Sequence, residues 1–301
     1  GYKAVKLYEK LDAPTYRAAA AAAKAAKMQI WTHVPDALTV DDLIALEVDS
    51  IEHLDGYEAA VLRDGAPRAP ADDGVRDSLQ DWAHADPQKM AAFADRLAKA
   101  NVWSAPTFAV MLGRYAASTD PDAYFARPEA VYISQGLKRW WTGSAARIAV
   151  SAEAARVAAP QTKAMVKALY DAGAGLLVGS DTPNPFVQHG FSIHDEIAYF
   201  VDAGIPPKDV LRLATTEAAR FLNEEGTFGV IAPGARADLL LLDEDPVAAL
   251  ATLRRPAAVM VAGRVFDRAA LDALLAAAAA QYQAPLEEAA QEEEAAQEEG
   301  A

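Results

Sequence analysis

Between residues 28 and 181, one short apolar run after another stops at a side chain able to do chemistry. MQIWT ends at His33, the run from Val48 to Glu52 ends at His53, and the run from Val102 reaches Thr107. Leu176–Leu177–Val178, bounded by glycines, leads through Gly179–Ser180 to Asp181–Thr182 and two prolines. Runs of that length read as buried strands, and Ala-rich or capped helical stretches separate them. Strand and helix in alternation imply an α/β fold with parallel strands. Polar residues recurring at strand C-termini are the mark of a (β/α) barrel, whose C-terminal edge assembles one site from many strands. A doubly wound open sheet is the alternative. It would usually show a glycine-rich phosphate loop, and neither G-x-G-x-x-G nor a P-loop pattern occurs.

The connecting segments carry their own signals. KAVKLY at 3–8 reads as a strand of mixed polarity. Asp12 and Pro14 open an Ala-rich helix through about Lys27, and Thr39 with Asp42 forms a capping box. Helices are expected at 87–100, 160–172, 192–203 and 207–222, and a Gly/Pro/Asp-rich loop at 62–75. The stretch 108–158, rich in Tyr, Trp and Arg, is longer than a connection needs. It reads either as an excursion over the active face or as a plain helical layer. From residue 226 the period shortens to strands and turns, a small β unit with a hairpin at Ala262–Gly263–Arg264. Three parts follow: a barrel-like α/β part at 1–225, a β unit at 226–268, and a helix with an acidic low-complexity tail at 269–301.

Composition removes several classes of function. With no cysteine in 301 residues there is no disulfide, thiolate metal site or cysteine nucleophile. A net charge of -15 argues against duplex nucleic acid as a partner. No run is long and apolar enough to span a membrane. The first residue is Gly and the chain opens inside a strand, so an N-terminal portion is expected upstream and the compartment stays open.

Lys6, His33, His53 and Asp181 stand out together. Two imidazoles and a carboxylate from successive strand ends meet the needs of a zinc-type site with an open position. A lone strand-end His is more often a hydrogen-bonded structural residue, and a lysine within a strand more often faces solvent.

The motifs AVKLY, WTHV, SIEHLDGY, SAPTF, GSDT and HGFSIHDEIAYFVDAGIPPKDVLRLATTEAARFL, closed by GTFGVIAPGARADLLLLDEDP, resemble the metal-dependent amidohydrolase superfamily. The likeness is to its imidazolonepropionase-like and Xaa-Pro dipeptidase-like branch, and it runs to about residue 268. It implies a (β/α)8 TIM-type barrel represented by strands four to eight, with part of an accessory β-sandwich. It implies one or two divalent metals, zinc first among them, held by Lys6 (N-carboxylated), His33, His53 and Asp181. Asp181 would also be the general base in hydrolysis of a C–N bond in a small substrate. His189 matches a loop position facing substrate. Tyr8 and Tyr57, beside the ligand candidates, would bind substrate or simply pack. His194 and His84 are expected to be structural or on the surface.

The family's His-x-His pair is absent from the five histidines of this chain. The first three barrel strands have no counterpart either, and an open barrel leaves sheet edges unpaired. A longer natural protein, completion by a second copy or chain, or a non-catalytic binding protein on a truncated scaffold would each account for this. A metal-free enzyme using Asp181 with a histidine is a further alternative.

Overall fold

The computed structural model describes residues 1–68 and 78–283. Four short strands, β1 (Ala4–Leu7), β2 (Gln29–Thr32), β3 (Ser50–Glu52) and β4 (Trp103–Ala105), form a parallel sheet in sequence order. A parallel bridge from Ser104 to Leu176 adds a fifth position beside β4. Helices cross between strands and cover one face, as parallel connections require.

Alternation along each strand separates two faces. In register across the sheet, Leu7, Thr32, Ile51, Ser104 and Leu176 point to the helices and are buried. They pack with Tyr16, Leu43, Phe93, Leu97, Val166 and Phe200 in one core. The two polar members of that row are satisfied there. The Tyr16 hydroxyl donates to Thr32 Oγ1 at 2.7 Å, and Tyr57 shares a hydrogen bond with Ser104 at 2.6 Å. The opposite row, Lys6, Trp31, Ser50 and Trp103, faces the inner side, where Phe221 lies against both indoles.

Local signals explain most helices. Asp12 caps the helix Ala13–Ala25 by accepting from the Thr15 amide, with proline in the first turn. Thr39 and Asp42 make the reciprocal capping box of Val40–Ala45. Asp86 caps Pro87–Ala100, which ends at Asn101 in the left-handed region. The expected helix at 160–172 runs from Ala152 to Asp171, with Pro160 inside it.

The stretch around Leu176 departs from expectation. It is a single bridge rather than a strand, held by the Ser104 amide to Gly175 O and the Leu177 amide to Ser104 O, both at 2.9 Å. Gly175 is there for space. A Cβ at that position would lie 2.2 Å from the Trp103 ring, which is itself wedged against Phe221 and Arg220. Gly175→Ala is expected to cost about 1–3 kcal/mol through overpacking, read as a lowered denaturant midpoint at unchanged m-value.

Toward the C-terminus, β5 (Leu239–Leu241), β6 (Ala258–Val261) and β7 (Arg264–Asp267) form a three-stranded antiparallel sheet. Ala262 and Gly263, both at positive φ, make the two-residue hairpin turn. Residues 226–238 form no strand, so the β unit is smaller than expected. A helix, Arg268–Gln283, follows. Part of the loop expected at 62–75 and the acidic tail beyond 283 lie outside the described residues. No helix among the described residues is long and apolar enough to cross a membrane.

Candidate active site

The C-terminal edge of the parallel sheet opens into a cleft of about 380 Å³. His33, His53 and Asp181 line it, together with Tyr8, Glu9, Asp55, Arg114 and Tyr115. Each histidine is fixed by one further rung of the ladder beyond its strand. The His33 amide donates to Leu7 O at 3.2 Å, and the His53 amide to Ala105 O at 2.9 Å. Both rings are buried, and their centroids lie 4.6 Å apart.

The backbone at this edge is strained. His53, Leu54, Thr107 and Asp181 all have φ between 49 and 62°, a region costly for residues other than glycine. Such strain is concentrated where a chain must aim side chains rather than continue a strand. Here it turns His53 and Asp181 toward each other, with His53 Nε2 3.8 Å from Asp181 Oδ2. That gap is too long for a hydrogen bond. The other ring nitrogen, Nδ1, is engaged by Thr107 Oγ1 at 2.6 Å. A second partner on Nδ1 fixes the ring and leaves Nε2 facing the cleft. Burial, before any neighbouring charge, holds the His53 pKa down at about 4, so the ring is neutral near pH 7.

His33 is differently placed. Neither of its nitrogens has a hydrogen-bond partner, although both are buried. Nδ1 lies 3.0 Å from Asp55 Oδ2 and 3.6 Å from Glu9 Oε2, out of line for hydrogen bonding. Ligand atoms of Glu9, His33 and Asp55 all fall within 4.8 Å of one another. Glu9 and Asp55 were not singled out by the sequence. They sit two and three residues past the ends of β1 and β3, where acidic residues pass as ordinary turn formers.

The other sequence candidates separate. Lys6 is exposed on the inner face of β1, one turn of the pleat below the rim, and does not line the cleft. Its Nζ lies 5.9 Å from the Tyr8 ring centroid, and its charge reaches Glu52, whose carboxyl burial pushes up. Tyr8 does line the cleft, its ring 4.4 Å from that of His33. Tyr57, expected to face substrate or to pack, packs: it is fully buried against Phe93 and Ser104. His189 is exposed in the loop before the helix Ser192–Asp202 and lies outside the cleft lining. His84 is partly buried and His194 half-buried, both away from the cleft.

The segment 108–158 does extend over this edge. Val110, Met111, Arg114, Tyr115 and Ser151 form one wall. Tyr124 and Trp141 also clamp Phe186, at 5.3 and 5.9 Å between ring centroids, five residues beyond Asp181. The loop that carries Asp181 is thereby anchored in a second, smaller core.

The model of the amidohydrolase family matches residues 10–266. The chain belongs to the amidohydrolase family. Among solved structures, this chain resembles a bottromycin amidohydrolase, with 25% identity and a TM-score of 0.68 over 92% of this chain and 59% of that one. It also resembles a Xaa-Pro dipeptidase with bound methionine in its active site, at 19% identity and TM-score 0.57 over 89% and 55% of the two chains. An ochratoxinase from A. niger is a third, at 14% identity and TM-score 0.52 over 88% and 51%. The chain thus spans little more than half the length of the structures it resembles. No significant match is found among curated proteins.

Proposed function

We propose that this chain hydrolyses a C–N bond, an amide or cyclic amide, in a small dipeptide-like substrate, using a divalent cation at the C-terminal edge of its sheet. The observation that carries the reading is the meeting of His33, His53 and Asp181 in one cleft, with both His33 nitrogens buried and without a hydrogen bond. A buried polar atom without a partner is costly, and a neutral imidazole nitrogen is a ready metal ligand. The donor chemistry therefore fits such an ion. His33, His53 through Nε2, Asp181 and, once N-carboxylated, Lys6 are the residues that would hold it. An ammonium has no lone pair to give, so Lys6 takes part only as its carbamate.

When bound, the cation supplies Lewis acidity and lowers the pKa of a coordinated water. Asp181 takes the proton from the attacking water and passes it to the leaving nitrogen. Asn184 holds the Asp181 carboxylate through a 2.9 Å hydrogen bond to Oδ2. Tyr8 and Arg114 both line the cleft, and in this reading they contact substrate. The substrate class is suggested by the similarity to a bottromycin amidohydrolase and a Xaa-Pro dipeptidase. A binding protein without catalysis is the second reading, favoured by the missing His-x-His.

The test is a screen of dipeptides, N-acyl amino acids and cyclic amides with the purified chain, with and without added Zn²⁺. Hydrolysis that a chelator abolishes and Zn²⁺ restores is the expected result. Hydrolysis indifferent to chelator would assign the chemistry to Asp181 and a histidine alone. No hydrolysis of any substrate, by a chain that still binds the cation, would favour the binding protein.

A further inference from the structure

Arg114 is the one arginine or lysine among the described residues lining the cleft. The carboxylates around it are otherwise engaged. Glu9 and Asp55 lie against His33 at 3.6 and 3.0 Å, and Asp181 against His53 at 3.8 Å. None of them makes an ion pair with Arg114. Arg114 Nη2 donates to the hydroxyl of the adjacent Tyr115 at 2.9 Å, and its guanidinium carbon lies 4.8 Å from that ring's centroid. Nε is buried without a hydrogen-bond partner. A guanidinium carries five N–H donors in a planar fork. Holding it half-buried with so few acceptors is costly, and a carboxylate is the group whose two oxygens match the fork.

The backbone beneath Arg114 is well fixed. Arg114 opens the helix Arg114–Ser118, directly after the π-helical turn Ala109–Gly113. The Ala109 amide and the Phe108 amide before it are held by the buried Glu196. Val110 and Met111 of the same segment add an apolar surface to the cleft.

We propose that Arg114 binds a free carboxylate of the substrate, so that the cleft takes carboxylate-bearing amides such as dipeptides and N-acyl amino acids and rejects their amidated forms. This rests on the reading of the cleft as a hydrolytic site and narrows its substrate class. An anion entering between Glu9, Asp55 and Asp181 is repelled unless a cation receives it, and Arg114 is the side chain placed to do so. Val110 and Met111 suit an aliphatic side chain on the same substrate. At about 380 Å³ the cleft lies at the lower end of small-molecule sites, which fits a molecule of that size.

The experiment is calorimetric titration of the whole chain with N-acetyl-leucine and with N-acetyl-leucinamide, which differ only in the carboxylate. The variants are Arg114→Met, Arg114→Lys and Arg139→Gln, with melting curves to check that each is folded. Arg139 is exposed outside the cleft lining and controls for loss of charge. Wild type and Arg139→Gln should bind the acid about tenfold or more tighter than the amide. Arg114→Met should lose that preference, by weaker binding of the acid at unchanged binding of the amide. Arg114→Lys, a point charge without the fork, should recover only part of it. A preference for the acid that survives in Arg114→Met would place the carboxylate on another group and overturn the proposal. So would a wild-type chain that binds acid and amide alike, or neither. Turnover of glycyl-leucine and its amide judges the hydrolase reading separately. Hydrolysis of both at equal kcat/KM would overturn the carboxylate anchor and leave the hydrolase standing. A preference for the acid lost in Arg114→Met, in a chain that hydrolyses neither, would uphold the anchor and count against the hydrolase.

Discussion

Asp181→Asn is expected to lower kcat for the hydrolysed substrate by about 10²–10⁴-fold while leaving the melting temperature nearly unchanged. Asn is the informative replacement because Asp181 sits at φ 54°, a conformation Asn tolerates well. Its side-chain oxygen keeps an acceptor for Asn184, whose amide now donates to Asp181 Oδ2. What the substitution removes is the site that takes up a proton. A loss of kcat at unchanged KM is the signature of a group acting in the transition state. Wild-type kcat in Asp181→Asn would remove Asp181 from the chemistry and pass the base to another group in the cleft.

Glu196→Ala should be the most destabilising single change near the site. Glu196 is fully buried on the helix Ser192–Asp202. Its carboxyl accepts from the amides of Phe108 at 2.9 Å and Ala109 at 2.8 Å. Those amides follow Thr107, the partner of His53 Nδ1, so Glu196 fixes the strand end that orients His53. Alanine would leave two buried amides unpaired, at about 1–3 kcal/mol each, and open a cavity besides. The total is a large fraction of a domain's stability of about 5–15 kcal/mol. Chemical denaturation of wild type and variant measures it.

The same residue sets a pH dependence. Desolvation raises the Glu196 pKa from 4.5 to about 8, against the two amide hydrogen bonds that favour the anion. Between those values the native state keeps a proton that the unfolded chain has lost. Stability from this group is therefore complete below about pH 4.5 and falls as pH rises through about 8. Relative to Glu196→Gln, which cannot ionise, wild type should lose a few kcal/mol across that window. Parallel stability–pH curves for the two proteins would show that Glu196 does not titrate there.

Much of this arrangement is legible in the sequence because it is local. The Asp12 cap, the Thr39–Asp42 box and the Ala262–Gly263 turn depend on residues a few positions apart, and all appear as read. The four strand ends were legible because a buried parallel strand must be apolar and stop abruptly. What escaped depends on distance in sequence and on backbone aim. Leu176 reads as a strand, yet forms a single bridge, to Ser104, beside a Gly175 that has no room for a Cβ against Trp103. Tyr57 reads as a neighbour of His53, yet a left-handed bend at His53 and Leu54 turns the chain and sends Tyr57 into the core. The carboxylated-ligand role of Lys6 rests on the family resemblance, and its inner-face position below the rim follows from strand alternation. Glu9 and Asp55 carry no signal of their own; only the juxtaposition of two loops around His33 marks them.

The central claim, that this edge of the sheet is a metal-dependent hydrolytic site, is tested most directly by elemental analysis of the purified 301-residue chain beside His33→Ala. The account predicts about one divalent transition-metal ion per wild-type chain and its loss in His33→Ala, with both proteins folded by circular dichroism. A folded wild-type chain that holds no more metal than His33→Ala, even after incubation with Zn²⁺ and bicarbonate, would contradict it.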